Sequence, residues 1–480
     1  MTIYYRKKTI AVAAAIAIAL GCGFSSAYAV AHASAAPATA MSAPQGMPPQ
    51  PPDGELPPGP PPDGMGPGGP GGPGAGGPQQ QDVDVKKLSA TKVIDGKSLT
   101  LKDQKLAAKA SNASAVLVRG GGQLTLTDST LTKTGDSSSA DASNFSGQNA
   151  ILLVADNSSA TLDDLTLTSD ADGANAVFAT GEKTKVTARN LKIHTKNNSS
   201  RGLDATYGGT IEATNVDITT EGAHCGALAT DRGEGNVLVD GATIATSGEG
   251  SPCIYSTGRI ELSNAKGEAT GSEIAVVEGK NSITLNNVDL TGHVSQGVML
   301  YQSFSGDAGV GEAKFTAKNS HLTNKSDGPM FFITNTTATA SLDNVTLTQS
   351  GDTLVQVTSS RWGKTGSNGG NFTLNTQNQK LNGKILANNI STIKLDFASN
   401  TDFTGSINED QQAKSVDLTL AKDATWDMTA DSYLHTISDA ADNFANIASN
   451  GHNIYYDKSA NPSLNGKTYQ LPGGGKLIAK

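Results

Sequence analysis

One phrase is repeated along the middle of the chain: "GLDATYGG" at 202–209, "GALATDRG" at 226–233 and "IYSTG" at 254–258, then "VVEGK" at 276–280 and "MLYQS" at 299–303. Around these phrases gather side chains that could do chemistry: Arg201, Asp204, Tyr207, Asp231, Arg232, Tyr255, Arg259, Glu278, Lys280, Tyr301 and Gln302. Tyrosine faces stack on sugar rings, and carboxylate and guanidinium groups hold hydroxyls by charge-assisted hydrogen bonds. The set is a candidate ligand-binding stripe for a carbohydrate. The competing reading is a scaffold ladder in which Asp231–Arg232, Arg201–Asp204 and Glu278–Lys280 neutralise one another. An enzyme would use the same residues. Asp204, Asp231 and Arg232 could serve a calcium-dependent lyase, and two carboxylates on adjacent turns a hydrolase.

Sequence motifs for catalysis are otherwise missing. Asp163–Asp164 lies inside the ordinary strand pattern "ATLDDLTLT", and there is no Gly-His-Gly, Gly-x-Ser-x-Gly, His-Glu-x-x-His or phosphate-binding loop. Calcium enters only with the lyase reading, and no other cofactor or metal site is expected. Cys225 and Cys253 stand 28 residues apart, about one turn of the repeat described next. They are either a local disulfide, which needs a bulge because Pro252 aligns opposite Cys225, or two buried thiols. His224 next to Cys225 does not make a nucleophilic pair, because adjacent strand residues point to opposite faces.

The elements that must position these residues recur regularly. Segments such as "SATLDDLTLTSD", "TKVTARNLKIHT", "GTIEATNVDITT" and "NSITLNNVDLTG" each read as two alternating strands parted by Asn, Asp or Gly. A third apolar run follows each, beginning near 115, 150, 176, 202, 226, 253, 275, 297, 329 and 354. Most steps fall between 22 and 27 residues; the two long ones hold inserted loops at 132–147 and 303–313. Ten repeats of one three-part order predict a right-handed, single-stranded parallel β-helix rather than a sandwich or barrel. Stacking would place Tyr207, Asp231, Glu278 and Tyr301 above one another on the outer surface, whereas the same corner elsewhere holds plain residues such as Ser158 and Asn335. Outward threonines are too mixed with Lys, Asp and Asn to form an ice-facing array.

This coil period, with the cap-like "ATWDMTADSYL", "HNIYYD" and "GGGKLI" after it, resembles the pectin-lyase-like β-helix superfamily, and within it exported bacterial surface or passenger-type members. The resemblance spans residues 84–480. It implies the fold and leaves the activity open.

Composition agrees with an exported β-protein. The net charge of −9 excludes the basic face of a nucleic-acid binder. Residues 1–29 read as a signal peptide: "YYRKK", a short apolar run, then Ala27-Tyr28-Ala29 before Val30. That run is short for a membrane span, and the mature chain has none. Cys22 raises lipid attachment, against which Ala19 stands where a lipobox carries Leu. Residues 30–83 have the Ala/Ser- then Pro/Gly-rich composition of a disordered spacer. Residues 84–414 are expected to be the β-helix and 415–480 its C-terminal strands and cap. No LPxTG-like signal or barrel pattern occurs in that tail. The expected function is surface or secreted (periplasmic if retained) adhesion or glycan binding, with an extracellular polysaccharide or cell-surface glycan as partner. The alternative is a polysaccharide lyase or glycoside hydrolase.

Overall fold

A computed structural model describes residues 83–480. The expected leader, Cys22 and nearly all of the Pro/Gly-rich spacer lie outside the described residues. No described helix is long and apolar enough to cross a membrane.

The described chain winds into a parallel β-solenoid of about 16 turns, with 53% of residues in strands and 4% in helices. Each central turn contributes one short strand and one long strand. The short strands stack in register, as in Leu203 between Val177 and Leu228. The eleven-residue strands stack likewise, with Ile211 between Val186 and Val237 and Ile218 between Ile193 and Ile244.

Each long strand corresponds to what the sequence divides into two. Its sixth residue is an Asp, Asn or Gly in the left-handed region: Asp164 (φ 53), Asn190 (φ 56), Asn215 (φ 53), Gly241 (φ 81), Asn264 (φ 54) and Asn287 (φ 54). Asn, Asp and Gly adopt this conformation at least cost. The bend resets the alternation, so both halves turn their Leu, Ile and Val inward, as in Thr210–Thr220 and Ser282–Gly292. Stacked, these residues form one continuous apolar core. No turn could bury its own apolar side, so stacking carries the stability.

Close approach is required at the turn leaving the long strands. A Cβ on Gly248 would sit 1.7 Å from the Gly222 carbonyl oxygen, and one on Gly271 2.4 Å from that of Gly248. Gly248→Ala is therefore expected to cost at least the ~1–3 kcal/mol of an overpacked site, read as a lowered urea midpoint. An unchanged midpoint would show that the turns are looser than drawn.

Three insertions leave the coil. One holds the helix α1, Ala140–Ser146, capped by the Ser139 side chain and closed by Gly147 at φ 69; the sequence pattern marks it only as a loop. The second is the segment 302–311. The third, 358–370, carries Trp362, which is 3% exposed, and escapes the spacing because it follows the last apolar run of the repeat, at 354. Parallel pairing continues past residue 414: Ser415–Leu420 pairs with Thr392–Phe397 and with Thr436–Asp439. Trp426 is fully buried there, stacked on Phe403 with its Nε1 donating to the Gly405 carbonyl. Among the described residues only Tyr469–Gln470 against Lys476–Ala479 pairs antiparallel, so parallel winding runs on through much of the segment 415–480, which the sequence assigns to C-terminal strands and cap.

Candidate functional site

Side chains on the outward face of the short strands fall into rows. One row runs Leu153, Phe178, Asp204, Ala229, Tyr255, Val276, Met299 and Phe332. A second pairs Glu278 with Tyr301 and Tyr301 with Thr334. Asp231 directly follows the strand Leu228–Thr230. The register thus brings Asp204, Asp231, Tyr255, Glu278 and Tyr301 together, and Arg201 and Arg232 reach into the same group.

The expected open stripe is instead roofed. Asp204 is 0% exposed, Glu278 1%, Tyr301 2% and Asp231 4%. The roof consists of Phe145 from α1 and the segment 302–311, with Trp362 packed on Tyr301 at a 5.4 Å centroid distance. Beneath it remains a cavity of about 30 Å³ lined by Arg201, His224, Asp231, Tyr255, Glu278 and Tyr301 among others. That is room for water, not for a sugar ring.

Three polar groups fill the site. Arg201 Nη2 lies 3.0 Å from Asp231 Oδ2, and its Nη1 3.5 Å from Asp204 Oδ2. Arg232 donates to Asp307 Oδ1 from Nε (2.9 Å) and Nη2 (2.6 Å), with its guanidinium 3.9 Å above the Phe145 ring. Glu278 Oε2 accepts from the hydroxyls of Tyr255 (2.7 Å) and Tyr301 (2.8 Å), while Oε1 accepts from Ser303. Burial pushes the Glu278 carboxyl above the usual range, against the pull of the Ser303, Tyr255 and Tyr301 hydrogen bonds. Burial also holds both tyrosine hydroxyls well above their ordinary value, with the Glu278 charge adding to it. Arg201 and Arg232 face four acids, Asp204, Asp231, Glu278 and Asp307, so the pocket is acidic on balance.

The remaining candidates fall elsewhere. Tyr207 sits at the turn (φ 50), half-buried, its N–H donating to the Arg232 carbonyl at 2.9 Å. Gln302 is buried at the root of the roof and donates to Ala308 O at 3.3 Å. Lys280 pairs with Glu234 at 2.8 Å, half-exposed. Arg259 lies on a long strand, exposed and paired with Glu261, and does not line the cavity. Sequence analysis missed Phe145, Ser303, Ser305, Asp307 and Trp362. The two long steps in the repeat signalled that insertions exist, but nothing in the alternation says where they fold back.

Of the two alternatives for the cysteines, the fold shows two buried thiols with no disulfide between Cys225 and Cys253. Cys225 Sγ accepts from Ser200 N–H, and Cys225 N–H donates to Ser251 Oγ. Cys225 therefore occupies one rung of a serine row, opposite Ser251. Cys253 packs in the core, where burial raises its thiol to about 12.

A calcium-dependent lyase does not fit this donor set. Arg201 engages both Asp204 and Asp231, and among the described residues no group of three or more His, Cys, Asp or Glu is placed to hold a metal ion. The chain matches no protein-family model, no curated protein and no solved structure.

Proposed function

We propose that the chain is an exported β-solenoid of the pectin-lyase-like kind that captures carbohydrate at the outer face of its central turns, at a cell surface or in the secreted medium. The carrying observation is the buried charged cluster itself. Neighbouring turns fill the Asp204 row with Leu153, Phe178, Val276, Met299 and Phe332, so stacking does not require a charge there. Burying such charges costs several kcal/mol per ion before pairing repays it, and concentrations of perturbed groups under inserted loops mark functional sites. Tyr255, Tyr301 and the paired charges are the hydroxyl-fixing and stacking groups that a short glycan needs, and a sugar reaches them only with the roof of Phe145 and 302–311 displaced. The N-terminal leader pattern supports export.

A second reading draws on the same pocket. Burial raises the Glu278 carboxyl, while Asp231 is held by Arg201. Two acids in such different surroundings suit glycoside hydrolysis.

The test is an array of short oligosaccharides probed with the mature chain, alongside an assay for released reducing ends. Binding is expected, weakened about tenfold or more by Glu278→Gln with the melting temperature retained. Reducing ends released by the parent but not by the variant would favour the hydrolase. If the parent captures no oligosaccharide and cleaves none, the cluster is scaffold.

A further inference from the structure

The molecule has a second recess, far larger than the roofed pocket and open to solvent. It is a trough of about 1070 Å³ along the bend of the long strands. It runs from the turn of Asn190 to that of Asn344 across seven turns, about 29 Å at the ~4.8 Å spacing of paired strands. Its floor is the backbone of the inward-facing residues just after the bend, such as Leu191, Val216 and Val288.

One wall is a row of amides. Asn215 Nδ2 donates to Asn190 Oδ1 at 2.7 Å, Asn287 to Asn264 at 2.7 Å, and Asn344 to Asn319 at 2.9 Å. Each amide has two N–H donors and two acceptor lone pairs, so the row retains unused donors and acceptors toward solvent. At Gly241 the row loses a side chain, and Asn264 turns to Asp240.

The opposite wall is the outward row Lys192, Asp217, Thr243, Lys266, Asp289 and His321. Lys192 and Asp217 are register neighbours, as are Lys266 and Asp289, yet among the described residues neither couple forms an ion pair. Elsewhere in the same sheet charged couples do close: the register neighbours Lys318 and Asp343 at 3.0 Å, and the diagonal couple Lys185 and Glu212 at 2.7 Å. The Lys and Asp heads along the trough stay apart and exposed; Asp289 lies 3.5 Å from His321 Nδ1, while Lys192, Asp217 and Lys266 keep hydrogen-bonding capacity toward solvent.

We infer that this trough is a second binding surface, for an uncharged, hydroxyl-rich polysaccharide lying along the solenoid axis. Length, straightness and openness suit a polymer. Alternating charge signs give no net field to attract a polyanion or polycation. Amides, Lys and Asp offer donors and acceptors in alternation, which matches hydroxyls. Without an aromatic platform each sugar is held weakly, and affinity accumulates over the turns the polymer spans. The inference is independent of ligand capture in the roofed pocket.

The test is electrophoresis through gels containing hydroxyethyl cellulose, galactomannan or dextran, with polygalacturonate as the anionic control. At least one uncharged polymer is expected to retard the mature chain. Two variants should each weaken that retardation about tenfold or more: Lys192→Ala/Asp217→Ala/Lys266→Ala, and Asn264→Gly/Asn287→Gly. Glycine keeps the left-handed bend, so the second variant removes amides without straining the backbone. Arg259→Ala, exposed and lining neither recess, should leave retardation unchanged. The inference is overturned if no uncharged polymer retards the chain, if only polygalacturonate does, if both folded trough variants bind as the parent does, or if Arg259→Ala weakens binding as much as they do.

Discussion

Arg201→Met is expected to destabilise the central turns by about 3–5 kcal/mol, the scale of a buried ion pair left with one partner. The guanidinium is 4% exposed and lies against two carboxylates that are themselves 0% and 4% exposed. Removing it leaves Asp204 and Asp231 charged in a buried site that admits little solvent to replace it. Turns of a solenoid contact only their neighbours, so the loss is local. Hydrogen exchange should accelerate first at Leu203–Thr206 and Leu228–Thr230, and the urea midpoint should fall. The triple variant Arg201→Met/Asp204→Asn/Asp231→Asn should recover most of the loss. Arg259→Met, at an exposed pair with Glu261, should change stability by less than about 0.5 kcal/mol. A single variant within 1 kcal/mol of the parent, or a triple variant no better than the single, would rule out an uncompensated charge as the cause.

This expectation reverses one that the sequence alone invites. Read as an exposed stripe, Asp231 and Arg232 look removable at little thermal cost. In the fold, removing them takes one of its two carboxylates from Arg201 and the guanidinium from Asp307. What the sequence carried well was everything governed by local rules. Alternation placed Leu203, Ile211 and Ile218 inward; Asn215 and its equivalents marked the bend; the step length put Glu278 beside Tyr301. What it could not carry was exposure, because that depends on where the insertions return. Nothing near Asp307 announces that it meets Arg232, 75 residues earlier. The trough was hidden for a different reason. Its walls are Asn, Lys, Asp and Thr, the residues expected on any solvated strand face, and only the bend turns those faces into a channel. Cys225 was hidden by one residue of register: the sequence sets Pro252 opposite it, whereas the fold sets Ser251 there and makes the thiol a polar rung.

Glu273 gives a titration that the site's burial should make visible. It is 2% exposed, just before the strand Ala275–Glu278. Its Oε1 accepts from Gln296 Nε2 at 2.7 Å and its Oε2 from Ser272 Oγ at 2.6 Å. Burial raises its carboxyl from the usual 4.5 to about 7, against the pull of Ser272, its own backbone and Gln296. The folded chain therefore keeps this proton longer than the unfolded chain. The stabilisation is fully present below pH 4.5, declines between 4.5 and about 7, and is gone above that, amounting to about 3 kcal/mol. Glu278, raised in the same direction, adds to the same decline. Glu273→Gln keeps the acceptor for Gln296 and places an amide N–H where Ser272 Oγ accepts. The variant should gain about 3 kcal/mol over the parent at pH 8 and nothing at pH 4, with a flatter profile between. Urea midpoints at pH 4, 6 and 8 test it, and parallel curves for parent and variant would show that the carboxyl titrates normally. A gain at pH 8 would mean that the outer face of the central turns holds a charge at neutral pH at the expense of its own stability, as a site kept for binding does.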